Sequence, residues 1–203
     1  MKILAFQGSP RLKGNTDLLL DAFLEGAQEG GGEVEKINLY RIDLKPCLEC
    51  GECDETGECV IPDDMREIYP KLDQAHVIVV ASPIFFYNIT SRTQALVERS
   101  QARWVAKYVL KRTLSLPHPR YGLFLSLGAT KGKKLFEGVQ RVIKYFFDAL
   151  QVEYQGGLFY RGVEKKGAIK THPSALKEAH ALGYQVASGV PPEKWPVTRA
   201  LTP

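Results

Sequence analysis

Short apolar runs alternate with amphipathic segments along most of the chain. The run ILAF at residues 3–6 has the length of one buried strand. The run VIVVA at residues 77–81 is almost wholly β-branched, which is typical of a strand covered on both faces. Weaker strand patterns occur at 34–39, 123–127 and 154–160. The pattern therefore predicts five strands.

Apolar residues at helical spacing occupy the intervals between and after these runs. They predict helices over 17–30, from Asp63 onward, from 91 or 93 to about 110, over 135–150 and over 173–187. Pro70 falls inside the second helix, where a proline costs about 3 kcal/mol, so we expect a kink or two short helices there. Alternating strands and helices predict an α/β protein with a parallel sheet covered on both faces.

Ligands of such sheets bind beyond the carboxyl ends of the strands. Three segments meet that condition, namely 8–16, 82–91 and 126–133, and we expect them to converge on one pocket. The stretch GSPRLKGNT at 8–16 leads from a strand into a helix N-terminus, which is an anion site. It matches neither the Walker loop nor the dinucleotide fingerprint, so a single phosphate monoester fits it best. The alternative is a plain turn in which Asn15 or Thr16 caps the helix.

Composition narrows the possible functions. The chain has 203 residues, enough for one domain, and a net charge of +4, too mild to suggest nucleic-acid binding. It lacks an apolar stretch of the ~18 residues that a membrane span needs and a secretory cleavage pattern, so we expect a cytoplasmic protein. We expect one domain over 1–189 and, because residues 190–203 contain four prolines, an extended tail after it. The charged run EKK at 164–166 is expected to be solvated surface.

All four cysteines fall in one predicted loop at 41–62, with the spacing C-x2-C-x2-C-x5-C. They are Cys47, Cys50, Cys53 and Cys59. Disulfides are rare in the cytoplasm, and four-cysteine zinc sites usually use two separated pairs. Close C-x2-C-x2-C spacing is a signature of [4Fe–4S] ligation, which we favour over zinc or free thiols.

The motifs resemble a known family. GSPR with GNT at 8–16, followed by SPIFF at 82–86, is similar to the flavodoxin-like NAD(P)H-dependent FMN reductases. The cysteine loop with PDDM at 62–65 resembles the iron–sulfur flavoprotein branch of that family. The resemblance implies a three-layer α/β/α sandwich with five parallel strands in the order 2-1-3-4-5. It also implies FMN, with its 5′-phosphate in the 8–16 loop and its ring against 83–88 and 126–130.

The residues of these segments suit a flavin. Bulky apolar side chains directly after a strand can line a flat slot. Core packing is favoured for Phe85 or Phe86 taken alone, but their shared position after a proline at a strand's carboxyl end favours the cofactor for the pair. The predicted cofactor contacts are Ser9, Arg11, Asn15, Thr16, Pro83, Ile84, Phe85, Phe86, Asn88, Ser91, Ser126, Gly128 and Ala129. Family members often have Asp-Arg where this chain has Glu98-Arg99, and both residues are left out of the predicted site.

Together these features predict an FMN-dependent oxidoreductase that moves electrons between a reduced donor, a [4Fe–4S] cluster and FMN. Two alternatives are an NAD(P)H-dependent FMN or quinone reductase without a cluster and a non-catalytic FMN electron carrier. Expected partners are a small-molecule or protein electron donor or acceptor, such as NAD(P)H or a ferredoxin-like protein, with no nucleic acid and no membrane. Trp104, Val105, Tyr108 and Leu110 extend one helix and predict a subunit interface, and the resemblance implies a homodimer or homotetramer.

Overall fold

Five parallel strands form a single sheet at the centre of the molecule. The computed structural model describes residues 1–112 and 116–199. The strands are β1 (Lys2–Gln7), β2 (Glu33–Asn38), β3 (Val77–Pro83), β4 (Tyr121–Gly128) and β5 (Glu153–Arg161). Their order is β2-β1-β3-β4-β5, and every neighbouring pair is parallel. The predicted order 2-1-3-4-5 is therefore confirmed.

Helices cover both faces of this sheet. They are α1 (Asn15–Glu29), α2 (Cys53–Thr56), α3 (Met65–Gln74), α4 (Ser91–Arg99), α5 (Gln101–Trp104), α6 (Glu137–Ala149) and α7 (Ala175–Ala187). A π-helical turn, Val105–Val109, follows α5, so the predicted long helix is an almost continuous run that bends at Ser100. Short 3-10 turns lie at Ala168–Thr171 and Pro192–Lys194.

The expected division of α3 into two short helices does not occur. Helix α3 continues through Pro70 as one uninterrupted α-helix. Pro70 lies on the exposed side, where water can hydrogen-bond the carbonyl group that the missing N–H leaves free. Ile68, Tyr69 and Leu72 are buried, and their packing against the sheet stabilises the helix despite the proline.

Strand side chains alternate between two apolar cores. Leu4 and Phe6 face one core, which is completed by residues of α3, α4, α5 and α6. Ile3 and Ala5 face the other core, which is completed by α1 and α7. This period-two alternation within continuously apolar strands is what a sheet buried on both faces requires.

The helices α1 and α7 pack unusually closely. A Cβ atom on Gly26 would lie 2.0 Å from the carbonyl oxygen of His180, and one on Gly183 would lie 1.9 Å from that of Phe23. The two glycines thus allow backbone-to-backbone contact between the helices. This contact fixes the second half of α1 relative to α7 on the same face of the sheet.

Residues 190–199 lie against the domain. Trp195 is buried, its ring meets the Tyr121 ring edge to face at 5.4 Å, and its Nε1 donates to the Val190 carbonyl at 2.8 Å. Thr198 and Gly157 exchange two backbone hydrogen bonds of 2.9 and 3.0 Å, which attach the segment to β5. Part of the predicted extended tail is thus a packed strap, and positions 200–203 lie outside the described residues. Over 1–112 and 116–199, no helix combines the length and apolar character needed to cross a membrane.

Candidate functional site

A pocket opens where β1, β3 and β4 end at the carboxyl edge of the sheet; we name it the strand-end pocket. Its volume is about 150 Å³. Nine predicted cofactor contacts line it: Ser9, Arg11, Asn15, Thr16, Pro83, Ile84, Phe85, Gly128 and Ala129. Four further residues line it without having been predicted: Leu127, Val163, Glu164 and Lys166. The three segments after the strands therefore converge as expected.

The loop after β1 is held tightly at its first residue. The Gly8 N–H donates to the Ala81 carbonyl at 2.8 Å, and the Thr90 hydroxyl donates to the Gly8 carbonyl at 2.6 Å. A Cβ atom on Gly8 would lie 2.0 Å from the Thr93 hydroxyl oxygen, so only glycine fits here. These contacts fix the loop relative to both β3 and α4.

The start of α1 exposes backbone donors to the pocket. The N-cap residue is Gly14, which has no side chain, so neither Asn15 nor Thr16 caps the helix as the alternative interpretation held. Both residues lie in the first turn, where N–H groups have no acceptor within the helix. The turn before the helix closes through the Gly14 N–H and the Arg11 carbonyl at 3.0 Å. Backbone donors, the helix dipole and Arg11 together favour an anion.

The side chain of Asn15 connects α1 with a loop far along the chain. Its Nδ2 donates to the Lys165 carbonyl at 2.9 Å, and its Oδ1 accepts from the Ile169 N–H at 3.2 Å. This clamp holds residues 163–169 as a wall of the pocket. Sequence patterns missed Glu164 and Lys166 because a charged run of this kind is usually solvated surface.

The segment after β3 forms a tight hairpin at the mouth of the pocket. Phe85 and Asn88 exchange two backbone hydrogen bonds of 2.8 and 2.9 Å, and the two residues between them have positive φ angles of 50° and 61°. Phe85 lines the pocket and is half-exposed, whereas Phe86 is completely exposed. A bulky side chain in this left-handed conformation is sterically unfavourable.

Four predicted contacts do not line the pocket: Phe86, Asn88, Ser91 and Ser126. Asn88 uses its Oδ1 to accept from the Ile89 N–H at 2.8 Å. Ser126 is fully buried, and its hydroxyl donates to the Ser82 carbonyl at 2.7 Å, which links β3 with β4. Ser91 begins α4 and is exposed.

The four cysteines line a second and larger space, the cysteine cavity, of about 680 Å³. All four thiols are unpaired, and Cys50 is exposed. Other lining residues include Asp54, Val60, Ile61, Glu98, Arg99 and Ala102. Across the described ranges 1–112 and 116–199, no three Cys, His, Asp or Glu side chains stand close enough together to hold a single ion.

Local turns bring the cysteines to this cavity. Cys53 begins the single-turn helix α2, and Gly57 ends it in the left-handed conformation with φ 67°. The Glu49 N–H donates to the Cys47 sulfur at 3.4 Å. Burial raises the pKa of the Cys53 thiol, and Asp54 and the charges of Cys59 and Cys47 raise it further.

A buried ion pair closes the base of the cysteine loop. The Arg99 guanidinium forms a forked pair with the Asp63 carboxylate, and the two side chains are 1% and 0% exposed. Burial alone would raise the pKa of Asp63, but hydrogen bonds from Arg99 and from the backbone lower it below its usual value. Arg99, which was left out of the predicted cofactor contacts, does not line the strand-end pocket but lines the cysteine cavity. A buried arginine has no local sequence pattern that would reveal it.

Comparison with known proteins adds to this geometry. The sequence model of the family described as NADPH-dependent FMN reductase matches residues 1–134, about two thirds of the chain. This chain belongs to that family. It is 30% identical over 199 residues to an iron-sulfur flavoprotein of Methanocaldococcus jannaschii, covering 94% of this chain and 97% of the relative. It is 32% identical to an iron-sulfur flavoprotein of Methanosarcina thermophila, over 93% of this chain and 90% of the relative. The predicted iron–sulfur flavoprotein branch is thus confirmed.

A solved structure supports the same fold. The NAD(P)H:quinone oxidoreductase of Methanothermobacter marburgensis superposes with a TM-score of 0.67 at 16% identity. The match covers 91% of this chain and 94% of the other. The family and its relatives make this protein an FMN-dependent oxidoreductase. The structure thus has two candidate sites, the strand-end pocket and the cysteine cavity.

Proposed function

We propose that this protein transfers electrons between a reduced donor, a [4Fe–4S] cluster on the four cysteines and FMN in the strand-end pocket. The observation that carries this proposal is that Cys47, Cys50, Cys53 and Cys59 all line one cavity. Soft thiolate ligands select iron–sulfur clusters or zinc over hard cations. Both of these relatives are named iron-sulfur flavoproteins, and this supports a cluster over zinc.

The cysteine cavity fits a cluster through its donor set, because four thiols line one space together with the carboxylates of Glu49, Asp54 and Glu98. The positive charge of this lining comes from Arg99, which is paired with Asp63. The Nε of Arg99 is buried and has no hydrogen-bond partner among the described residues. Buried polar groups of this kind are nearly always paired in native proteins. An acceptor in the cavity would satisfy it.

The strand-end pocket fits the phosphate end of FMN. Ser9, Arg11, Thr16 and the first-turn N–H groups of α1 would bind the phosphate, and Lys166 would add charge at the rim. Pro83, Ile84 and Gly128 would border the ring. FMN, when bound, supplies the two-electron and one-electron chemistry. The protein binds it, orients it and shields it from water, so no protein acid–base pair is needed.

The small size of this pocket favours a subunit boundary beside the flavin. Ligand pockets are usually about 300–1,000 Å³, and the strand-end pocket of about 150 Å³ falls short of that. Phe85, Phe86 and Tyr87 are exposed at its mouth, and Trp104 and Tyr108 are half-exposed on the extension of α4. Val105, by contrast, is buried in the subunit's own core. We expect a homodimer or homotetramer, and light scattering that shows a monomer at micromolar concentration would contradict this.

Anaerobic purification with iron and sulfide, followed by metal analysis and a visible spectrum, tests the proposal. We expect about four irons and four sulfides per chain, together with flavin. Zinc at about one per chain, or no metal, would contradict the cluster and leave an FMN or quinone reductase. Reduction by NADPH with turnover of a quinone or free flavin separates an enzyme from a carrier. Gln28→Ala, a change at an exposed residue of α1 that lines neither cavity, is the control and should keep both iron and flavin.

A further inference from the structure

Arg99 has an exceptional position in this molecule. It is the largest fully buried side chain in the described part of the molecule, and it ends helix α4. Its guanidinium pairs with the Asp63 carboxylate and also donates from Nη1 to the Lys45 carbonyl at 3.0 Å. Its own carbonyl accepts from the Tyr69 hydroxyl at 2.6 Å. Removing a charge from water in this way is costly unless the group is paired and hydrogen-bonded.

These contacts join the two ends of the cysteine loop. Lys45 precedes the first cysteine, and Asp63 follows the last one. The Asp63 carboxylate accepts from the Lys45 N–H at 2.9 Å and from the Met65 N–H at 3.1 Å. Just outside this pair, Asp43 and Asp64 join the same two ends through hydrogen bonds of 2.8 and 3.0 Å. Arg99 and Asp63 add the contact that fixes the closed loop 46–62 to α4.

A neighbouring arginine shows what is particular about Arg99. Arg103 also forms a forked ion pair, from Nε and Nη2 to the Asp73 carboxylate at 3.0 and 2.6 Å. It does not line the cysteine cavity. Arg99 faces its carboxylate with both terminal nitrogens, so its Nε stays without a partner in the described part of the chain.

We propose that Arg99 is a positioning residue for the cysteine site, which closes the loop through Asp63 and Lys45 and stabilises negative charge on the sulfur ligands. The first half concerns the protein alone. The second half rests on the proposed function, because it concerns the cluster that the sulfur ligands hold. The loop closure and the charge effect are tested by different measurements, so one can be refuted without the other.

Hydrogen exchange of the metal-free protein tests the loop closure. Arg99→Met and Asp63→Asn should each speed exchange over residues 46–62 at least tenfold, with little change in the strands. Lys36→Met, which breaks ion pairs to Asp17 and Asp21 between β2 and α1, is the control and should leave the exchange of 46–62 unchanged. Unaltered exchange in both Arg99→Met and Asp63→Asn would overturn the closure. Arg99→Lys keeps the charge without the fork and replaces Arg99→Met if that variant does not fold.

The midpoint potential of the iron-loaded protein tests the charge. Arg99→Met removes a positive charge, so its potential should become more negative than that of the wild type. Asp63→Asn removes the compensating negative charge, so its potential should become more positive. A residue that merely held the loop together would move both potentials in the same direction, and that result would overturn the charge role. Wild-type protein that takes up no iron would refute the proposed function, and the exchange result would still decide the loop closure.

Discussion

The strand-end pocket and the cysteine cavity are built in different ways. The first lies where three core strands end, and its loops are fixed by backbone hydrogen bonds such as that from Gly8 to Ala81. The second lies under a loop whose ends are held by the buried pair of Arg99 and Asp63 and by hydrogen bonds between Asp43 and Asp64. Its thiols do not converge on a single point. The hydrophobic core thus sets the shape of the strand-end pocket, whereas the cysteine cavity depends on local turns and on the contacts that close its loop.

The largest expected effect is loss of the metal without loss of the flavin. In Cys50→Ser we expect iron to fall well below about four per chain, because one soft ligand is replaced by a poor one. FMN content should stay at wild-type level, since Cys50 does not line the strand-end pocket. Iron analysis and flavin fluorescence after anaerobic purification measure the two quantities. Parallel loss of both would show that the two sites depend on each other.

The next largest effect concerns the loop after β1, which forms part of the strand-end pocket. In Gly8→Ala the new Cβ atom would clash with the Thr93 hydroxyl and crowd the Ala81 carbonyl. We expect a stability loss of about 1–3 kcal/mol, as for overpacked cores, and much weaker FMN binding. Gly138→Ala is the control, because its Cβ atom would meet nothing closer than 4.0 Å and alanine favours the helix. Urea unfolding and FMN titration measure the two effects.

Asn15 and Thr16 are expected to support FMN binding at the strand-end pocket in different ways. Asn15→Ala should weaken FMN binding by about 1–2 kcal/mol through loosening of residues 163–169, because two hydrogen bonds are lost. Thr16→Ala should weaken FMN binding by about 1.5–3 kcal/mol through loss of one donor to a charged acceptor. Only Asn15→Ala should speed hydrogen exchange at 163–169. Equal exchange in the two variants would contradict the clamp.

The smallest effect is a pH dependence of the cysteine loop. The folded pKa of Asp63 lies below its usual value, so the ion pair contributes stability above the unfolded pKa of about 3.9. That contribution is lost as the pH falls through the folded pKa. Loop 46–62 of the metal-free protein should therefore open in acid at a pH below 3.9, and Asp63→Asn should remove this step. Hydrogen exchange or limited proteolysis against pH detects the opening, and a step that persists in Asp63→Asn would assign it to another group.

Sequence alone determined the sheet, its helices and the motif segments. Strand and helix periodicities are local, so the runs at 3–6 and 77–81 and the amphipathic pattern at 135–150 predicted real elements. The segments 8–16, 82–86 and 47–59 are each contiguous, and the family resemblance they carried was confirmed. Nine of the predicted cofactor contacts line one pocket because parallel strands end at the same edge of a sheet.

Only the tertiary structure decided how distant segments complete these sites. Asn15 reaches a loop 150 residues away, and Arg99 reaches Asp63 across 36 residues. Arg120, which a sequence pattern counts as surface charge, is buried and donates to the carbonyls of Ala75 and Leu150. Each of these side chains forms hydrogen bonds that offset the burial of its own charge or amide. Their partners are distant in sequence, and only the packed fold brings them near. Such pairs have no periodicity and no fixed spacing, so the sequence contains no local pattern from which they could be predicted.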